Sequence, residues 1–593
     1  MSMSRREFAR LLGMAGVAGM LPLQGRAADT SSSDPYDVPN FGNVRLLHMT
    51  DCHAQLLPVY FREPNVNLGL AGASGRAPHL VGDRLLQHFG IAPGSLEAHA
   101  FTCLNYTDAA QQYGKVGGFA HLKTLADRLR DSFGREKTLL LDGGDTWQGS
   151  GTAYKTRGMD MVKACNALGV DIMTGHWEFT YNQAEILHNI EAFQGEFLAQ
   201  NVFITEDALF STDTDYLHDD FSGRVFKPYT IRDLGGARVA IIGQAFPRTK
   251  IANPARFIPD WSFDIHDSRL QEIVDQVRAE ERVDAVIVLS HNGMDVDLAM
   301  AGRVTGVDLI LGGHTHDGMP APTVVKNGGG QTLVFNAGSN GKFLGTLDLD
   351  IRDGKIRDYR YRLLPVFSEL IPADAAMQAM IDDIRSPHLS WLNEELALAG
   401  DLMFRRGNFN GTFDQVICDA LREVGDAQIS LSPGFRWGTT VLEGQMITME
   451  RVLDQTCLTY PETYIREMKG SELKLIMEDV ADNLFNPEPY LQSGGDMVRV
   501  GGFDYVCEPG RGMGERISEM TLDSGERIEA DKTYKVTGWA TVGTRSPGPA
   551  IWDVVAEYLR DQKEVHVDRL NTPILKGVTN NAGLTDYQGE IVG

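Results

Sequence analysis

The stretch Asp308-Leu309-Ile310-Leu311-Gly312-Gly313-His314-Thr315-His316-Asp317 decides the fold. A run of large aliphatic residues, too short for a helix and closed by glycine, reads as a buried strand. It ends in glycine, histidine and aspartate rather than in an ordinary turn. The same grammar recurs four times. Residues 44–49 run into Thr50-Asp51-Cys52-His53, and residues 138–141 into Asp142-Gly143-Gly144-Asp145. Residues 171–174 run into Gly175-His176-Trp177-Glu178, and residues 285–289 into Ser290-His291-Asn292-Gly293. Amphipathic helical stretches lie between them, as at 118–132 and 270–281. This alternation predicts an α/β domain. Ligands of such sheets bind beyond the carboxyl ends of the strands, so the five clusters are expected to converge.

Their residue types point to metals. Two divalent cations close together need a bridging carboxylate to damp their repulsion, with neutral imidazoles and further carboxylates completing each shell. Asp51 and His53 sit two apart on one segment, Asp145 is the candidate bridge, and His176, His291, His314 and His316 are the candidate imidazoles. His314 and His316 can reach different metals from one turn. A lone histidine at a strand end is usually structural, but five clusters in this order leave little room for that reading. Glycines 143, 144, 175, 312 and 313 are expected where backbone approaches a buried ion.

At 593 residues the chain exceeds what one core can fill, roughly 250–300 residues, so two domains are expected. The first should span 42–367, followed by a helical linker over 368–398 with helices at 374–384 and 389–398. A C-terminal α+β domain, 399–593, should carry helices at 413–424 and 471–482. A balance of 55 basic against 80 acidic residues, net −25, argues against a nucleic-acid partner, which needs clustered Lys and Arg. Ser4-Arg5-Arg6-Glu7-Phe8, an apolar stretch over 11–23 and Gly25-Arg26-Ala27 resemble a twin-arginine export signal over residues 1–27. A periplasmic protein with no membrane segment in its mature form is therefore expected. Cys52, Cys103, Cys165, Cys418, Cys457 and Cys507 form no CxxC pair, which excludes a zinc ribbon and a thioredoxin motif. Free buried thiols are the simpler reading, with a disulfide left open.

The order Asp-x-His, Gly-Asp, Gly-x-x-Glu, His-x-Gly, Gly-His-x-His resembles the calcineurin-like metallophosphoesterases, and the longer chain resembles the 5′-nucleotidases. The C-terminal half agrees through Gly434-Phe435-Arg436, Gly444-Gln445-Met446-Ile447-Thr448, Met468-Lys469-Gly470-Ser471-Glu472-Leu473 and Gly501-Gly502-Phe503-Asp504-Tyr505. The resemblance implies a four-layered α/β sandwich that carries two metals, and a second domain of 5′-nucleotidase type that closes over it with substrate-binding residues.

One departure matters. Phosphatases of this family read Gly-Asn-His-Glu-Phe, where Asn is a metal ligand and the adjacent His, paired with an Asp, helps stabilise the transition state or protonate the leaving oxygen; this chain reads Gly175-His176-Trp177-Glu178-Phe179. His176 can replace Asn as a ligand, but Trp177 cannot protonate an alkoxide, a loss worth roughly 10²–10⁴-fold. That pattern, with Thr50-Asp51-Cys52-His53-Ala54-Gln55 and Arg405-Arg406-Gly407-Asn408-Phe409, is similar to the SoxB thiosulfohydrolases of periplasmic sulfur oxidation. The resemblance implies a dimanganese (Mn2+) enzyme that releases sulfate from a cysteine S-thiosulfonate on the C-terminal arm of the SoxYZ carrier, with metal-activated water attacking the sulfone sulfur. Thiols ionise near roughly 8.5, so a sulfur anion leaves with less protonation than an alkoxide. Asp145, His176 and Trp177 are then the catalytic candidates. Manganese rests on the resemblance, since the ligands suit manganese, zinc and iron alike.

For the substrate anion the candidate is Arg436, with Arg405 and Arg406 beside it, because a guanidinium matches a tetrahedral oxyanion. Trp437 and Phe503 are candidates to wall the cleft, or else core residues. Glu178 and Asp317 are the nearest carboxylates that could orient an imidazole at position 177. Two rival readings stay open: a periplasmic 5′-nucleotidase or cyclic phosphodiesterase, and a non-catalytic binding protein on the same fold.

Overall fold

Period-two alternation along the buried strands sorts their side chains between separate cores. Leu139 and Leu141 face one core and Leu140 another; Ile287 and Leu289 face that first core, whereas Val286 and Val288 face a third. Such strands need cover on both faces, and the computed structural model provides it. The structure describes residues 34–210, 215–219, 221–543, 545–585 and 591–592, so the expected export signal lies outside the described residues.

Two six-stranded sheets form the first half. In one, Val44–Met49, Thr138–Asp142, Ile172–Met173 and Glu196–Phe197 run parallel, with the antiparallel hairpin Phe343–Arg352 and Lys355–Pro365 at the edge. In the other, Ala237–Gln244, Ala285–Ser290, Leu309–Gly312 and Gly330–Asn336 run parallel between antiparallel edges. Val44, Leu46, Leu139 and Leu141 of the first sheet pack on Ile241, Ile287, Leu309 and Leu311 of the second. The outer faces are covered by helices, Phe119–Phe133, Met159–Leu168 and Ala375–Arg385 on one side, Asp267–Ala279 and Met294–Arg303 on the other. The result is the four-layered α/β sandwich.

The second half is α+β. Helices Thr412–Val424, Met449–Thr456, Gly470–Phe485 and Ile551–Gln562 pack with two four-stranded sheets and a three-stranded one. One expectation fails. The helix expected over 389–398 is only Leu389–Leu392, and Glu395–Ala399 is a strand, antiparallel to Met446–Thr448 and parallel to Glu564–Val565. The segment is rich in helix formers, but long-range pairing overrides a propensity of a few tenths of a kcal/mol per residue. The interval 368–398 is therefore not wholly helical. The two halves also interleave: Val66 and Leu68 pack in the core of the second half with Ile429 and Met477. All six cysteines are buried, and none forms a disulfide. No helix among the described residues is long and apolar enough to cross a membrane.

Candidate metal centre

Parallel strands in both sheets deliver their carboxyl ends to one place, and there the chain turns sharply. Asp51, His53, Asp145, His314 and His316 all take positive φ, between 45° and 73°. For non-glycine residues this costs on the order of 1–3 kcal/mol each and persists only where surrounding bonds impose it. Here the Asp51 N–H donates to Gly144 O and the His53 N–H to Asp145 O, both at 2.8 Å. The cluster glycines act differently from one another. A Cβ on Gly313 would meet Thr50 Oγ1 first and would also crowd Asp51 Oδ2 and His291 Nδ1, so its absence lets a supporting side chain and two candidate ligands approach. Gly143 and Gly312 make room for the supporting side chains Thr50 and Asp297, and Gly144 is held at φ +93°.

The seven candidate ligands meet as two buried groups: Asp145 with His176, His291 and His314, and Asp145 with Asp51, His53 and His316. Asp145 belongs to both, the arrangement a bridging carboxylate requires. Its Oδ2 lies 3.1 Å from His176 Nδ1 and 3.0 Å from His291 Nε2. His53 and His316 turn their Nε2 atoms toward each other at 3.0 Å, and His316 Nε2 is 3.2 Å from Asp51 Oδ1. The buried Nε2 atoms of His176, His291 and His314 have no hydrogen-bond partner. His291 Nδ1 lies 2.6 Å from the Gly143 carbonyl, which can only accept, so the proton sits on Nδ1 and Nε2 is left bare for a cation.

Burial pulls His53 down to about 3 and His314 and His316 well below the usual imidazole range, which keeps them neutral as ligands must be. Burial opposes charge on His291 too, yet Asp145 and Asp51 push it up to about 10. Those carboxylates demand a positive charge at this point, and a divalent cation meets the demand. The donor set thus fits two divalent metals.

Glu178 holds the frame. Its two carboxylate oxygens accept the N–H groups of Asp145 (3.2 Å), Thr146 (2.7 Å), Trp147 (3.0 Å) and His176 (2.9 Å). It is therefore committed and cannot orient an imidazole at position 177, contrary to one expectation from its place in the sequence. Asp145 Oδ1 in turn accepts the Trp177 N–H at 2.6 Å.

A cavity of about 320 Å³ opens over the cluster, between the two halves of the chain. Trp177 lines it, buried edge-on against Phe435 and Trp437, whose rings stack on each other at 4.1 Å. Arg436 lines it too, donating to Gly495 O at 2.8 Å while its Nη1 is buried without a partner. Arg406 is buried nearby with its Nε unpartnered and lines two adjoining cavities. Arg405 corrects the sequence reading: its guanidinium donates to Asp414 (2.6 Å), Gln455 O (2.5 Å) and Pro433 O (3.1 Å), so it braces the second half and does not line the cavity. Phe503 is likewise core, packed with Tyr505, whereas Trp437 does wall the cleft.

Phe246 was not anticipated. Its ring lies 4.0 Å from that of His176 and 4.1 Å from that of His314, holding both in place. It follows strand Ala237–Gln244, which is parallel to Ala285–Ser290, so strand-end convergence pointed there. The Ala-Phe-Pro sequence lacked the polar residues by which the other clusters were found.

Residues 401–549 match the family model described as 5′-nucleotidase, C-terminal domain. The chain is similar to the sulfate thiohydrolase SoxB of Thermus thermophilus, solved in complex with glycerol: 34% identity, a TM-score of 0.84, and coverage of 91% of this chain and 98% of that one. It is 27% identical to the 5′-nucleotidase of Mus musculus over 536 residues, 80% of this chain and 87% of that protein. It is 26% identical to the trifunctional nucleotide phosphoesterase protein YfkN of Bacillus subtilis over 479 residues, 73% of this chain but only 32% of the length of YfkN.

Proposed function

Because the chain belongs to the family of 5′-nucleotidase-type metallohydrolases that includes SoxB, we propose that it is a thiosulfohydrolase, which cleaves sulfate from a cysteine S-thiosulfonate on the arm of the SoxYZ carrier in the periplasm. One observation carries this reading. Every imidazole that lines the cavity, those of His53, His176, His314 and His316, belongs to the candidate metal cluster, and Trp177 occupies the place of the family's proton donor. The site is built for a leaving group that needs little protonation.

When bound, two divalent ions, which we take to be manganese, activate water and neutralise anionic oxygens. Asp51, His53, Asp145, His176, His291, His314 and His316 would hold them. The remaining work falls to the chain's own groups. Arg436 presents its unpartnered Nη1 to the sulfonate oxygens. Water adds its oxygen to the sulfone sulfur, the S–S bond breaks, and the electron pair stays on the carrier's sulfur as a persulfide. Trp177, Phe435 and Trp437 form an apolar wall that shields this step from bulk solvent.

The same wall weighs against a nucleotide. A base sandwiched between two rings needs their faces about 7 Å apart, two contact distances of roughly 3.5 Å, and Phe435 and Trp437 already stack face to face at 4.1 Å. Side-by-side assays with thiosulfonate-loaded carrier and with AMP test the proposal. Sulfate release with negligible phosphate release is expected; rapid AMP hydrolysis with no sulfate release would overturn it.

A further inference from the structure

Behind the catalytic cavity lies a second, larger one of about 770 Å³, and His314, Arg436, Gly494 and Asp496 line both. The two differ in chemistry. The first is walled by aromatic and aliphatic side chains such as Trp177, Phe246, Phe435, Trp437 and Val498. The second carries His79, Arg406 and Arg436. Its acidic residues are engaged already. Asp295 pairs with His79 Nε2 at 2.9 Å, Asp317 accepts from Asn67 at 3.2 Å, and Asp496 accepts from Asn408 at 3.0 Å and meets Arg499 at 3.3 Å and Arg436 Nε at 3.5 Å. The cations keep one atom each to spare: besides the contacts His79 makes with Asp295 and Arg436 with Asp496 and Gly495 O, the buried Arg406 Nε, Arg436 Nη1 and His79 Nδ1 find no acceptor. Asp295 also favours the charged form of His79 strongly enough to overcome its burial.

Buried cationic donors without acceptors are costly unless an anion completes them. Gly494 marks the junction. It sits at φ +73°, and a Cβ there would overlap His314 Nε2, so the backbone of this segment passes directly over a candidate ligand. We propose that the second cavity is a holding and exit chamber for the tetrahedral oxyanion cut from the substrate, gripped by Arg406, Arg436 and His79. For the sulfate product this rests on the thiosulfohydrolase reading, in which the carrier arm fills the apolar cavity during cleavage. A dianion cannot be solvated by aromatic walls occupied by polypeptide, so it leaves on the polar side.

Selenate, a tetrahedral dianion whose selenium scatters anomalously, locates the chamber in crystals of the metal-loaded protein. Wild type should show selenate between Arg406 and His79 as well as at the metal centre. Arg406→Gln and, independently, His79→Gln should lose the chamber peak and keep the other, with unchanged metal content; Arg406→Gln should keep its melting temperature, whereas His79→Gln gives up the charge facing Asp295 and should melt lower while still folding. Sulfate inhibition of turnover should weaken about tenfold in both variants. A chamber free of selenate in wild type, or equally occupied in both folded variants, would overturn the proposal and leave the thiosulfohydrolase reading standing. If phosphate displaces the chamber selenate and sulfate does not, the chamber stands and that reading fails.

Discussion

Replacing Glu178 with Gln puts an amino group where one carboxylate oxygen was. Oε1 receives the N–H groups of Thr146 and Trp147, and Oε2 those of Asp145 and His176. Whichever oxygen is replaced, two backbone donors then face a donor. A hydrogen bond to a charged group contributes about 1.5–3 kcal/mol, so the two together cost roughly 3–6 kcal/mol, a large fraction of a typical folding free energy. The damage should be local as well as global, because those N–H groups set the backbone of Asp145 and His176. Loss of a partner that orients a metal ligand lowers metal affinity about 10–100-fold. Thermal melting and metal titration of Glu178→Gln should show both effects, and Glu178→Ala, which strips all four acceptor contacts, should be worse. Unchanged melting and unchanged metal affinity in the Gln variant would refute the reasoning.

Asp145→Ala should bind neither metal, since both candidate groups share that carboxylate, and elemental analysis reads this directly. Arg436→Ala should lower kcat/KM on loaded carrier roughly ten- to a hundredfold, the worth of one charge-assisted bond, without changing metal content. Trp177→His should gain no phosphatase activity, because Glu178 is committed to four N–H groups and Asp317 accepts from Asn67 and lines the neighbouring cavities rather than the one that Trp177 lines, and it should lose roughly 2–3 kcal/mol of stability through poorer packing on Phe435 and Trp437. AMP turnover and melting temperature check the two halves of that statement. Burial pushes the Asp160 carboxyl up to about 6. The unfolded chain, with an ordinary carboxylate near 3.9, then gives up its proton first, so this group's contribution to stability falls as pH rises from about 4 to about 6, by roughly 3 kcal/mol. Asp160→Asn should therefore melt increasingly above wild type across that window, and parallel melting curves would contradict the assignment.

The candidate metal centre was legible because each cluster follows a strand short enough to recognise, and parallel strands must end on one side. The split of His314 and His316 between two groups followed from their spacing alone. What the sequence hid were features set by distant partners. Nothing in Arg405-Arg406 distinguishes a guanidinium locked by Asp414 and two carbonyls from one left without acceptors, since those partners lie up to fifty residues away. Glu395–Ala399 has helical composition and becomes a strand through pairing with segments some fifty and 170 residues downstream. Phe246 and Phe503 are both apolar residues beside strands, and only packing places one at the metal centre and the other in a core.

Mass spectrometry of thiosulfonate-loaded SoxYZ before and after exposure to the metal-loaded protein tests the central claim most directly. The carrier's cysteine adduct should lose one SO₃ unit, leaving a persulfide, with one sulfate released per adduct lost. An adduct of unchanged mass, under conditions where the same preparation hydrolyses AMP, would contradict it.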